Sequence, residues 1–346
     1  MRAQPQGEQT FIMMLPSFLK MTYGRDGGAV FLTARAGRTT LNGLRCLDDR
    51  GVIGVIDYPR LAISSSFRAS VVVICDVERM TPDYEARVIA IVRQWRSLPQ
   101  APVILNAPPK PLRRYELLKK LYKLGMNQKD IHRLDDPYTI EAVRFPCFIR
   151  DEAGHHLNPE TPRLLHSRDD LTAEITRLAE AGVPLFGKIA VEFEDTRDDT
   201  GMYRKLAYYK AGGMLSPAHS FWNPEWFVKY PKPGLVAERP DLVEREREFV
   251  MSSPHEAEIA RIFDIAGIDY GRIDYGVRQD GGLHVFEINT NPNSAVPQNV
   301  APERQPYINP VQQRIVDALA DLADANPCTR LAWPRDELLY RLRRQL

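Results

Sequence analysis

Cysteine is scarce in this chain, and charge of one sign is not in excess. The four cysteines, Cys46, Cys75, Cys147 and Cys328, lie far apart in 346 residues and form no CxxC pair. A structural zinc site and a disulfide framework are therefore not expected, and the chain reads as cytoplasmic with reduced thiols. Lys and Arg number 46 against 45 Asp and Glu, a formal charge of +1. That balance excludes a dedicated nucleic-acid binder but leaves room for a local basic pocket facing an acidic substrate. No apolar run approaches the roughly 20 residues a bilayer-spanning helix needs, so no membrane segment is expected. The best N-terminal candidate, Phe11 to Leu19, contains Pro16 and Ser17 and reads as a strand. The motifs GxSxG, HExxH, Walker A and GxGxxG are all missing, which removes the usual hydrolase, zinc-protease, P-loop and dinucleotide readings.

What is present fits a soluble multi-lobed chain, with 44% hydrophobic and 26% charged residues. Ala29–Thr33 and Ser70–Val77 read as strands. The run Val71-Val-Val-Ile74 has the pattern of a strand buried on both faces. Thr81 and Pro82 form an N-cap and first helical position for a helix over Tyr84–Leu98, and Pro102–Asn106 is a further strand. Strand, helix and strand at this spacing make a βαβ unit, so an open α/β lobe is expected over residues 1–110. The proline cluster after Asn106 marks its end.

Further on, helices are expected over 113–124 (ended by Gly125), 169–181 (ended by Gly182), 254–266 and 310–324. Strands are expected over 145–150 and 187–194. Two hairpins follow, 203–210 with 214–222 and 270–278 with 283–289. The divisions are residues 111–195, 196–326 and a C-terminal tail or helix over 327–346. The aromatics Phe221, Trp222, Trp226 and Phe227 are read as core, with the lining of a substrate pocket as the alternative. Ser64-Ser65-Ser66 is read as a polar turn, because no glycine accompanies it.

The second hairpin carries the chemistry. Strand alternation puts Arg272 and Asp274 on one face, Glu287 and Asn289 on one face, and Phe286 and Ile288 on the opposite, apolar side. Asp274, Glu287 and Asn289 then converge as three hard oxygen ligands. Such a set suits Mg²⁺, which completes its shell with water and substrate phosphates, and so points to ATP and phosphoryl transfer. An ordinary hairpin with a wet polar face is the alternative.

Arg-x-Asp, thirteen positions from Asp274 to Glu287, then Glu-x-Asn and the loop Thr290-Asn-Pro-Asn-Ser294, resembles the signature of ATP-grasp enzymes. It is similar to the D-alanine–D-alanine ligases and the ATP-grasp glutamate ligases. The resemblance implies an α/β (α+β) ATP-grasp fold preceded by the open N-terminal lobe. It implies Mg²⁺, or Mn²⁺ in its place, on Asp274, Glu287 and Asn289. Arg272 would face the transferring phosphoryl group or acyl phosphate, with a structural salt bridge to Asp274 as its alternative. Asn291, Asn293 and Ser294 would hold the substrate.

Val191-Glu-Phe-Glu-Asp195 resembles the hinge strand that meets adenine. Glu192 would take the amino group, Phe193 would pack on the ring, and Asp195 or Asp199 would meet the ribose. Arg150, Lys188, Arg204 and Lys205 are the candidate phosphate cations, and His155 and His156 stand where a phosphate loop is usual. The implied activity is a carboxylate–amine ligase acting through an acyl phosphate, on small-molecule or peptide carboxylates and amines. A kinase that stops at phosphoryl transfer, and a non-catalytic nucleotide-binding regulator, are the alternatives. Self-association is left open.

Overall fold

The computed structural model describes residues 26–64, 66–154, 162–229, 232 and 234–333. The expected strand at Phe11–Leu19, together with His155 and His156, lies outside them.

The N-terminal lobe is built on β1 (Ala29–Thr33), β2 (Ile53–Asp57), β3 (Ser66–Ala69), β4 (Val71–Ile74) and β5 (Val103–Leu105). A parallel sheet runs in the order β2-β1-β4-β5. The apolar runs of β1 and β4 are explained by two cores, one on each face. Phe31, Val71 and Val73 feed one, while Leu32, Val72 and Ile74 feed the other. Each such side chain contributes roughly 1.5–3 kcal/mol on burial. Helices α1 (Asn42–Leu47) and α2 (Pro82–Arg96) belong to this lobe, and the Thr81 hydroxyl accepts from Tyr84 N–H as expected of the cap.

A middle sheet of β6 (Ile131–Arg133), β7 (Cys147–Asp151) and β8 (Lys188–Glu192) runs in the antiparallel order β6-β8-β7. Helices α3 (Arg114–Lys123) and α4 (Arg168–Glu180) accompany it. Gly125 and Gly182 follow them with φ of +70° and +66°, the left-handed stop the sequence suggested.

The last sheet is antiparallel, in the order β10-β9-β11-β12, from β9 (Tyr203–Ala211), β10 (Met214–Asn223), β11 (Tyr270–Val277) and β12 (Leu283–Asn289). Helices α5 (Asp241–Ser252), α6 (Glu256–Ala266) and α7 (Gln305–Asp324) complete it, with α7 packed across β10 and β9 and reaching α1 and β1. Helix α7 begins five residues before the expected Pro310, with Pro306 in its first turn, where a missing N–H costs nothing.

Residues 329–332, expected in a tail or helix, form strand β13 (Thr329–Ala332), antiparallel to β3. Leu331 and Trp333 insert into the core around Trp95, which a surface helix would not supply. Asn106 joins the lobes: its amide donates to the carbonyls of Ile74 and Tyr270 and accepts from the N–H groups of Asp269 and Tyr270.

Candidate active site

Hairpin β11–β12 brings the acids together as its sequence implied. In the antiparallel register Asp274 faces Glu287 and Arg272 faces Asn289. A bulge between Asp274 and Tyr275 leaves Phe286 as the extra residue. The bulge breaks the alternation, so Phe286 lines the cavity in front of the hairpin, and only Ile288 keeps the expected apolar side.

That cavity has a volume of about 1250 Å³ and lies between the middle and last sheets, with Arg79 and Thr40 of the N-terminal lobe at its border. Arg272, Asp274, Glu287, Asn289, Arg150, Arg204, Lys205 and Asn293 all line it.

Cations outnumber the acids. Arg272 grips Asp274 bidentately at 2.7 and 3.1 Å, and Lys205 stands 3.4 Å from the same carboxylate. The salt bridge that was the alternative for Arg272 is therefore formed. Arg150 reaches Glu287 at 3.0 Å, and Arg114 contacts the same oxygen. At least four cations thus face two carboxylates. Burial, with Arg114 nearby, pushes the Arg150 guanidinium down to about 10. Burial likewise lowers Lys205, despite Asp274. These are desolvated cations held short of full compensation, and a polyanion would relieve them.

The candidate donors for a metal are the carboxylates of Asp274 and Glu287 and the amide oxygen of Asn289, which also accepts from Asn291 N–H. No group of three His, Cys, Asp or Glu suited to a metal occurs among the described residues. Two carboxylates and an amide suit a hard cation that takes its remaining ligands from phosphate and water.

Sequence reasoning missed Arg114. Its guanidinium is buried and also donates to the carbonyls of Asp151, Glu152 and Gly154, so it ties Glu287 to the end of β7. The one available signal was a cation in the first turn of a helix, where the macrodipole disfavours it.

The other end of the cavity is apolar. Phe148, Val191, Phe193, Trp226 and Phe227 line it, with Trp226 4.9 Å from Phe148 and 5.6 Å from Phe193, ring centre to ring centre. Phe221 lines the same cavity. The reading of this aromatic stretch as core therefore holds only for Trp222, which is buried and donates to Asp198.

Several expected ligands are employed elsewhere. The Glu192 carboxylate is buried and accepts from His132, from the Arg144 side chain, and from the backbone N–H groups of Asp130 and Arg144. Burial alone would raise it, but the bonds from His132 and Arg144 hold it down to about 2. Glu192 lines the cavity with this full set of donors already in place, and Glu194 lines it too. Strand β8 stops at Glu192, so alternation does not carry on to Glu194, which lines the cavity with Oε2 buried and without a partner. Burial raises its carboxyl.

Lys188 pairs with Asp151 and does not line the cavity. Asp195 closes on Arg197 in its own turn and Asp199 pairs with Arg245, so neither borders the cavity.

The loop after β12 divides its work. Asn291 donates to Asp76 and to the carbonyl of Gly37, and accepts from Thr40. Ser294 donates to the Thr40 carbonyl and accepts from Leu44 N–H, and Thr290 donates to Glu78. These side chains fasten the hairpin to the N-terminal lobe, and Asn291 lines the cavity as well. The approach is close enough to need glycine. A Cβ on Gly37 would lie 2.2 Å from Asn291 Nδ2, and one on Gly43 2.2 Å from the Ala295 carbonyl oxygen. Of the expected trio, Asn291 and Asn293 both line the cavity, and of these two Asn293 is the exposed one.

No protein-family model matches the sequence, and no curated protein matches it. Solved structures do resemble it. A RimK domain ATP-grasp protein from Sphaerobacter thermophilus has a TM-score of 0.49 at 15% identity, covering 84% of this chain and 99% of that one. The ATP-grasp ligase PsnB, complexed with a precursor variant, Mg and ADP, has a TM-score of 0.47 at 14% identity, covering 85% and 98%. The macrocyclase MdnC from Microcystis aeruginosa, bound to its precursor peptide MdnA, has 0.47 at 12%, covering 85% and 99%. The likeness is to ATP-grasp proteins. No helix among the described residues is long and apolar enough to cross a membrane.

Proposed function

We propose that this chain is an ATP- and Mg²⁺-dependent ligase of the ATP-grasp type, joining a carboxylate to an amine through an acyl phosphate. One observation carries the reading: a single cavity joins an aromatic-walled slot to an acid pair surrounded by excess cations. An aromatic slot suits a purine, and desolvated cations beside paired carboxylates suit a polyphosphate with its metal. Asp274, Glu287 and Asn289 would hold Mg²⁺, with Mn²⁺ as a substitute. When bound, the ion neutralises phosphate charge and orients the β- and γ-phosphates.

The protein's own groups then have distinct roles. Phe148, Phe193 and Trp226 enclose the base, and Glu194 accepts from its amino group. Arg150, Lys205 and Arg204 meet the phosphates. Arg272 turns from Asp274 to the oxygens shared between substrate carboxylate and γ-phosphate. A carboxylate oxygen attacks the γ-phosphorus and the bond to ADP breaks. An amine nitrogen then attacks the acyl carbon, phosphate departs, and the nitrogen loses a proton. No covalent enzyme nucleophile is required, because positioning and electrostatics lower the barrier. Asn293 faces the substrate. The substrates are small-molecule or peptide carboxylates and amines, in the cytoplasm, with no nucleic acid or membrane involved.

The test is ADP formation from Mg-ATP against a panel of carboxylic acids, with hydroxylamine as a trap. A hydroxamate that depends on ATP and Mg²⁺, and that Arg272→Lys largely loses while still binding ATP, is expected. A stable phosphorylated product with no hydroxamate would replace the ligase with a kinase. Nucleotide binding with no turnover on any acid would leave a regulator.

A further inference from the structure

Beyond the acid pair, toward α7, the same cavity changes character. Gln312 lines it from α7, is 2% exposed, and has no hydrogen-bond partner for either Nε2 or Oε1. A buried amide with both ends unmet is rare, because each unpaired group costs about 1–3 kcal/mol. Its neighbours along α7, Ile308 and Val311, are apolar and line the cavity too, so the helix offers no internal partner.

His219 lines the same cavity. It is buried with Nε2 unpartnered, and its ring is stacked on Phe221 at 3.9 Å with planes 12° apart. Burial, and then the nearness of Arg272, Lys205 and Arg304, lowers the imidazole well below its usual range, so it stays neutral. Arg304 adds little net charge here. Glu246 holds it at 2.6 and 2.7 Å, and the same carboxylate accepts from Tyr307 and from Ser220 N–H. Lys205 and Arg304 stand 5.7 and 5.4 Å from the Phe221 ring, so what marks this end is its apolar walls and its unmet amide and imidazole.

We infer that Gln312, with His219, recognises an uncharged amide group of the carboxylate substrate, so that the substrate is a peptide or an N-acyl amino acid. The inference rests on the ligase reading and adds the substrate class. Gln312 asks for one donor and one acceptor at once. An amide N–H and C=O supply both. A carboxylate only accepts and would leave Oε1 unpaired, and an ester lacks the donor. His219 Nε2 then meets a second polar group of the same ligand, and Ile308 and Val311 pack against its apolar part. Gln312 is a specificity-determining residue, not a catalytic one.

The experiment measures binding and turnover separately. N-acetyl amino acids and dipeptides are titrated calorimetrically against their ester isosteres, with Mg²⁺ and a non-hydrolysable ATP analogue present, in wild type and Gln312→Leu. Wild type should bind the amide of at least one pair tenfold or more tighter than its ester. Gln312→Leu should reduce that ratio below threefold. Its thermal midpoint should equal or exceed the wild-type value, because an unpaired buried amide is replaced by an apolar group. Gln312→Met provides the same ratio should the Leu variant misfold. A wild-type protein with no amide preference, or a variant that keeps the full ratio, overturns the inference. A lowered midpoint with the ratio unchanged assigns Gln312 a structural role instead. Nucleotide binding is titrated on the same samples. Absent Mg-nucleotide binding with the amide ratio intact would sink the ligase reading and leave the recognition set standing. Intact nucleotide binding with no ratio sinks the recognition set alone.

Discussion

Glu287 and Glu192 each sit on a strand and both line the same cavity, yet their carboxylates are held in different ways. Glu287 stands opposite Asp274 across a hairpin, and its partners include the buried Arg114 and Arg150, a side chain that can turn to another anion. Glu192 receives two backbone N–H groups and two side chains, a saturated set that holds its carboxylate in place. Residue type and strand parity are alike in the two cases. What separates them is the source of the donors. Backbone donors fix an acid as structure, whereas long cationic side chains keep it exchangeable.

The sharpest way to break this comparison is to neutralise each acid in turn. Glu287→Gln should lower ATP-dependent turnover between roughly 10²- and 10³-fold while the protein stays folded, because charge near the transferring phosphoryl group acts in a desolvated site. Glu192→Gln should change turnover less than about threefold. The reverse pattern would mean that the saturated acid is the functional one.

Stability should fall in both variants, so it is turnover that separates them. Glu192→Gln is expected to cost about 2 kcal/mol in urea unfolding, because Arg144 and His132 lose a charged partner in a buried setting. Glu287→Gln should also cost stability, since it leaves the buried Arg114 and Arg150 with one carboxylate fewer. Acid titration sharpens the point. The Glu192 carboxyl sits at about 2 in the folded protein against an ordinary 4.5. A depressed acid stabilises fully above its unfolded value and loses that contribution as pH falls through its folded one. The gap between wild type and Glu192→Gln should be constant above about pH 4.5 and close as pH falls toward about 2.

A smaller effect is expected in the slot. Trp226→Ala should weaken ATP binding about tenfold by removing one aromatic wall, measured by calorimetry. Smaller still, Glu194→Gln should cost ATP affinity only a few-fold yet narrow the preference for ATP over GTP, since only the adenine edge donates to that carboxylate. An unchanged preference would remove Glu194 from the base site.

Much of this was legible before any coordinates. The N-terminal sheet followed from uninterrupted β-branched runs, and the acid hairpin followed from two strands of fixed parity around a Gly-rich turn. Both signals are local. What could not be read were facts of tertiary pairing. Phe286 turned into the cavity because a bulge shifted the register. Asn291 and Ser294, polar residues on a loop beside an active centre, were already engaged by Thr40 and Gly37 some 250 positions away. Arg114 looked like an ordinary helix surface residue until its fold placed it under Glu287. Trp226 and Phe227 had the composition of a core and took the position of a wall.

The most direct test of the central claim is a crystal structure with Mn²⁺ and a non-hydrolysable ATP analogue, read by the anomalous signal of the metal. A manganese peak is expected within coordinating distance of carboxylate oxygens of both Asp274 and Glu287. The purine is expected between Phe148, Phe193 and Trp226, with Glu192 still bound to Arg144 and His132. A nucleotide seated elsewhere, or a metal peak away from Asp274 and Glu287, would contradict that claim.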